Sequence, residues 1–92
     1  MTKSELIASL SQKFPDLYQR DIEKIVNSIL GEIVETLKKG ARVELRGFGA
    51  FSVRKRDART ARNPRNGTEV KIGERYAIYF RTGKELREKI NK

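Results

Sequence analysis

Across 92 residues the chain carries 21 Lys and Arg against 12 Asp and Glu, a net charge of +9, with neither Cys nor His. A chain this short buries a modest share of its surface and makes one small domain, spanning 1–92. Without Cys and His it has no disulfide staple, no usual zinc ligand set and no imidazole or thiolate for catalysis, so no metal, no cofactor and no enzyme activity are expected.

The first element opens on Thr2-Lys3-Ser4-Glu5. This is a capping box, in which Thr2 accepts from the Glu5 amide and Glu5 reaches back to Thr2. Leu6, Ile7, Leu10 and Phe14 follow at helical spacing, and Pro15 ends the helix. Asp16-Leu17-Tyr18-Gln19 offers a second, weaker cap. Beyond it Ile22, Ile25, Val26, Ile29, Ile33 and Leu37 form one apolar stripe, widened by Leu30 and Val34. Lys38-Lys39-Gly40 supplies cations and a C′ glycine at its end. The result is a helical hairpin whose second helix is apolar on more than one side. Either a partner's helices or the rest of the same chain could cover that width.

The period then changes to two. Arg42-Val43-Glu44-Leu45-Arg46 alternates, with Val43 and Leu45 toward the core and Arg42, Glu44 and Arg46 on the other face. Gly47-Phe48-Gly49 is a turn; it lacks the third glycine and following helix of a nucleotide-binding loop. Ala50-Phe51-Ser52-Val53 returns as a second strand, and a third runs from about Thr68 to Phe80 with a bulge at Gly73. Thr82-Gly83-Lys84-Glu85 reads as another capping box, opening a short C-terminal helix through Leu86 and Ile90. The fold class is α+β, with a three-stranded antiparallel sheet between helices.

Between the second and third strands lies a ribbon, at about 54–75, which cannot add much core. Asn66-Gly67 is a strong hairpin signal, and Pro64 has no backbone donor and so belongs at the tip. The arm is cationic along its length and ends in a rigid apolar ring, a shape suited to gripping an anionic polymer and wedging into it. An ordinary exposed hairpin with a solubilising charge run is the plainer alternative.

Residues 1–41 hold six basic and six acidic side chains, so the whole surplus falls in residues 42–92. A surplus confined to one half is the footprint of a polyanion site. A membrane surface would want bulky apolar neighbours, and residues 54–65 contain no Trp, Phe, Leu or Ile. An RNA-binding module would show an aromatic platform, which the ribbon lacks. Duplex DNA is the expected partner, with no membrane. A small core and no staple leave a second chain to complete the fold. With no apolar run long enough for a signal peptide or a span, the chain is expected in the cytoplasm.

Arg46-Gly47-Phe48-Gly49-Ala50-Phe51, then Arg56, Arg59, Ala61, Asn63-Pro64, Phe80 and Gly83-Lys84-Glu85-Leu86, resemble the bacterial histone-like family of DNA-bending proteins, HU and integration host factor. The Arg42/Glu44/Arg46 face, Tyr76 and the Arg62-Asn63-Pro64 tip resemble the beta subunit of integration host factor more than HU. The resemblance implies an intertwined dimer, with itself or with an alpha-type subunit, whose two ribbons wrap duplex DNA through the minor groove. It implies proline wedges that kink the duplex, and a place in the nucleoid serving recombination, transcription and replication. A sequence-indifferent homodimer that compacts DNA, as HU does, is the alternative. Three positions depart from the family's usual residues: Asn66 replaces a threonine, and Thr82 and Ile78 each replace a proline. Loss of the strand proline leaves the last strand a freer edge donor.

On this basis Pro64, carried by Asn63, is the expected wedge. Arg54, Lys55, Arg56, Arg59, Arg62, Arg65, Lys71 and Arg75 are the ribbon cations. Arg42 and Arg46 resemble groove-reading arginines, with Glu44 between them either to hold their geometry or as a plain surface ion pair. Lys3 and Lys84 stand at helix starts, where backbone amides attract phosphate. Phe48 and Phe51 are expected as core and dimer-interface anchors.

Overall fold

The computed structural model describes all 92 residues, in two compact units, Met1–Glu35 and Thr36–Lys92. The first contains α1 (Lys3–Lys13) and most of α2 (Gln19–Lys38). Thr2 caps α1 as its sequence predicts: Oγ1 accepts from the Glu5 amide at 3.2 Å. The return contact differs, since the Glu5 carboxylate accepts a hydrogen bond from the Thr2 hydroxyl at 3.1 Å rather than from the Thr2 amide. The Phe14 amide donates to Leu10 O as the last bond, and Pro15 has no amide to continue it.

The expected cap at Asp16 is not used. Pro15 and Asp16 lie inside a turn closed by the Leu17 amide on Phe14 O, three residues ahead of the first helical residue. Tyr18 instead starts α2, its carbonyl accepting from Asp21 and Ile22. Ile7 of α1 packs with Ile22 and Val26, one turn apart on α2, and Leu6 and Leu10 close the edge of this cluster. These three are the buried core, each 5 % exposed or less. Burying one such side chain stabilises by about 1.5–3 kcal/mol, so this unit has a thin core. The rest of the α2 stripe stays open: Ile25, Ile29 and Val34 are each more than half exposed. The helix stops as expected, with Gly40 at φ +79 and the Gly40 and Ala41 amides returning to Leu37 O and Thr36 O.

In the second unit β1 (Val43–Leu45), β2 (Gly49–Arg56) and β5 (Arg75–Thr82) form an antiparallel sheet in the order β1-β2-β5. A separate two-stranded ribbon pairs β3 (Arg59–Arg62) with β4 (Glu69–Ile72). The expected third strand with a bulge is therefore two strands. Pairing lapses at Gly73-Glu74 opposite Asp57-Ala58, so the arm breaks from the sheet on both sides at once. Arg42 and Arg46 flank β1 and do not pair within it, Arg46 standing in the turn that the Phe48 amide closes on Leu45 O.

Register divides the sheet into two chemistries. Pairing of Phe51 with Val43 and Phe80, and of Val53 with Ile78, collects one apolar face. Phe80 holds Phe51 at 4.7 Å and Phe48 at 5.5 Å between ring centroids. The opposite face carries Glu44, Ala50 and Arg81 in one row, then Ser52 with Tyr79, Arg54 with Ala77, and Arg56 with Arg75.

The C-terminal α3 (Lys84–Ile90) begins after Gly83, and the expected Thr82 capping box does not form. Thr82 is the last residue of β5, paired with Gly49, which holds it in the sheet and away from the helix amides. The Gly83 amide instead donates to Phe48 O at 2.9 Å, pinning the helix start to the β1–β2 turn.

Candidate nucleic-acid interface

Apart from Lys3, the sequence-predicted cations lie in three places on the second unit. The first is a cleft of about 420 Å³ lined by the cations Arg42, Arg46, Arg81 and Lys84 and by the carboxylates Glu44 and Glu85. The small residues Gly47, Gly49, Ala50 and Gly83 also line it. Gly49 leaves no room for a side chain unless its neighbours shift, because a Cβ there would lie 2.6 Å from the Arg81 carbonyl oxygen and 2.5 Å from Phe80 Cζ. At Gly47, φ is +86 and a Cβ would meet Glu85 Oε2 at 2.9 Å. Arg81 is the member that sequence reasoning missed. Alternation groups Arg81 with Tyr79, Ala77 and Arg75, and it is the register with Ala50 that carries all four to the Glu44 face.

The second place is the arm root. Arg54, Lys55, Arg56, Arg59 and Arg75 line a cavity of about 340 Å³ with Asp57. Arg56 sits directly opposite Arg75. Two adjacent cations across a strand pair repel, an arrangement that an anion relieves. Arg54 lies 3.9 Å above the Tyr79 ring, which fixes its guanidinium on the cationic face. Lys55 points to the other face and pairs with Glu74 at 2.8 Å.

The third place is the ribbon and its tip. Pairing of Arg62 with Glu69 and of Thr60 with Lys71 puts Arg62 and Lys71 on one side. Arg59 shares the other side with Ala61, Val70 and Ile72, so the ribbon's cations do not all face one way. The hairpin expected from Asn66-Gly67 forms, with Pro64 in the connecting loop between β3 and β4. This is a six-residue loop: the Asn63 amide donates to Thr68 O, and the Gly67 amide to Asn63 O, each at 2.8 Å. Gly67 alone takes a positive φ, +70. Asn63 and Asn66 bend the loop by accepting from the Arg65 and Thr68 amides at 2.9 Å. Pro64 is exposed at the apex beside Arg65.

Lys3 belongs to the other unit, where its Nζ donates to Asn27 Oδ1 on α2 at 3.0 Å. Lys84 is the first residue of α3. No helix is long and apolar enough to cross a membrane.

With this geometry in place, the chain is similar to several solved proteins. It superposes on Anabaena HU, from a cocrystal with DNA, with a TM-score of 0.84 and 32% identity over 98% of this chain and 97% of that one. HU from Thermotoga maritima matches with a TM-score of 0.68 and 30% identity, covering 98% of each chain. A mutant of transcription factor 1, solved in solution, matches with a TM-score of 0.61 and 30% identity over 99% of this chain and 91% of that one. The family described as "Bacterial DNA-binding protein" matches residues 1–91. The chain is a member of that bacterial DNA-binding family, the histone-like HU family.

Proposed function

We propose that this protein is an architectural DNA-binding protein, not an enzyme, that acts as a single domain over 1–92 and as an intertwined dimer. The observation that carries the reading is the two-sided sheet. One face is cationic from the Arg42 cleft to the arm root, the other is apolar and unfilled, and the ribbon beyond ends in an exposed proline. The cationic face and arm neutralise phosphates of a duplex followed along its minor groove. Pro64 enters between base pairs, where a rigid ring without a donor leaves nothing unpaired. Arg42 and Arg46 reach into the groove with Glu44 setting their geometry, while Lys3 and Lys84 add charge at the flanks. The apolar sheet face and the open α2 stripe meet the same surfaces of a second chain.

Within this class the Arg42/Glu44/Arg46 cleft supports a subunit like the beta chain of integration host factor, paired with an alpha-type chain or with itself. Such a protein serves recombination, transcription and replication at the nucleoid of the cytoplasm. The similarity to two HU proteins supports the second reading, a homodimer that compacts DNA without regard to sequence. Binding to one defined site at least ten-fold tighter than to random duplex favours the first, and equal binding favours the second.

The wedge is tested by Pro64→Ala, which keeps every cation. Bending of a short duplex, read by end-to-end energy transfer, should fall sharply. Affinity for a duplex nicked at the kink should hold, because little deformation energy remains there. Equal weakening on straight and nicked DNA with the bend intact would make Pro64 a turn former only.

A further inference from the structure

Arg81 lines the cleft and stands on the same strand, β5, as Arg75 of the arm root. Arg81 pairs with Ala50, which pairs with Glu44, so the three form a row across the three-stranded sheet. On the same face and along the same strand stands Tyr79, whose ring carries the Arg54 guanidinium at 3.9 Å. Arg56 and Arg75 follow as the next cross-strand pair on that face. β2 approaches β5 closely here: a Cβ on Gly49 would lie 2.6 Å from the Arg81 carbonyl oxygen. Arg81 is exposed, with Ala50 opposite it across the strand and Tyr79 two residues along on the same face.

We propose that Arg81 is a phosphate-contacting residue that joins the cleft to the arm root, making one unbroken track for the backbone of duplex DNA. The inference rests on the architectural DNA-binding reading above. Duplex DNA is the occupant that fits, since Arg81, Arg54, Arg56 and Arg75 share one face of the sheet, and cations line both the cleft at one end of that face and the cavity at the other. A short anion would satisfy the cleft and leave Arg54, Arg56 and Arg75 unused.

The experiment compares Arg81→Ala and Arg81→Lys with Arg87→Ala, a charge-matched change on α3. Each full-length variant is titrated against a mixed-sequence duplex at several salt concentrations, with thermal unfolding followed by circular dichroism. Arg81→Ala should lower affinity several-fold and reduce the slope of log affinity against log salt by about 0.9, the value for one lost phosphate. Arg81→Lys should restore the slope, since a point charge suffices for a phosphate, and it remains informative if the alanine variant unfolds. Hydroxyl-radical footprints should show continuous protection in the wild type and a gap in Arg81→Ala. Slope and footprint for Arg81→Ala matching those of Arg87→Ala would overturn the inference while leaving the function standing. A wild type that ignores duplex DNA, or binds a small polyphosphate as well as the duplex, would overturn the function and this inference with it.

Discussion

Lys55 Nζ lies 2.8 Å from Glu74 Oε1, tying the outgoing strand of the arm to the returning one at the point where the ribbon leaves the sheet. Both side chains are about half exposed, at 52% and 55%. Such a pair contributes about 0–1 kcal/mol to stability, and a phosphate competes for the same ammonium. Glu74→Gln therefore changes unfolding free energy by less than about 1 kcal/mol. It should raise affinity for duplex DNA and steepen the salt slope by up to about 0.9, as Lys55 becomes free to contact phosphate. Salt-titrated binding checks this, and unchanged or weaker binding would show that Lys55 is structural only.

Assembly gives the second expectation. Ile29 is 56% exposed on α2, and an isolated surface Ile→Ala change alters stability by within about 0.5 kcal/mol. If a second chain covers the stripe, Ile29→Ala instead destabilises by about 2–5 kcal/mol, as in a core. The unfolding midpoint of the wild type should also rise with protein concentration. A concentration-independent midpoint together with a silent Ile29→Ala would rule out the dimer.

These two cases mark where the sequence could be read and where it could not. Local rules served wherever the partner group was near in sequence: Thr2 caps α1, Pro15 ends it, and Gly40 closes α2. They failed where a distant strand had a prior claim. Thr82 has the spacing of a cap, but β-pairing with Gly49 removes it, and no local pattern announces that pairing. At the tip Pro64 and Asn66-Gly67 mark the hairpin as read, but only Gly67 is left-handed, because the Asn66 side chain reaches the Thr68 amide from an ordinary backbone. Arg81 was missed because its face depends on register with Ala50, a relation across strands that alternation within one strand does not fix. The wide α2 stripe was legible as a stripe, whereas its division into a buried edge at Ile22 and Val26 and an open one at Ile25 and Ile29 follows from which side α1 takes.

Two glycines separate packing from hinge. Gly49→Ala forces a methyl group against the backbone of Arg81 and the Phe80 ring, and should destabilise by about 1–3 kcal/mol as overpacking does. Gly73 has open space around it and no positive φ. Gly73→Ala should be neutral or stabilise by about 0.4–1 kcal/mol, by restricting the unfolded chain. Chemical denaturation of both variants tests the contrast. A damaging Gly73→Ala would show that the arm root needs conformations closed to alanine.

The tip offers the sharpest separation of shape from charge. Asn63 and Asn66 each bend the loop through one side-chain bond at 2.9 Å, and two backbone bonds of 2.8 Å close it behind Pro64. All of this lies at the exposed end of the arm, so Asn66→Ala should leave global stability within about 0.5 kcal/mol. Yet it removes the acceptor for the Thr68 amide, a bond with a net contribution of about 0.5–1.5 kcal/mol to the ordered loop. If Pro64 works as a wedge, its aim depends on that order. Asn66→Ala should reduce bending of a straight duplex several-fold while the salt slope stays unchanged, since no cation is lost. Asn66→Thr restores a hydroxyl acceptor at the same backbone position and should recover most of the bend. Energy transfer across an end-labelled duplex, measured for all three proteins beside Pro64→Ala, distinguishes the cases. A full wild-type bend in Asn66→Ala would mean that the proline needs no help from the loop that carries it.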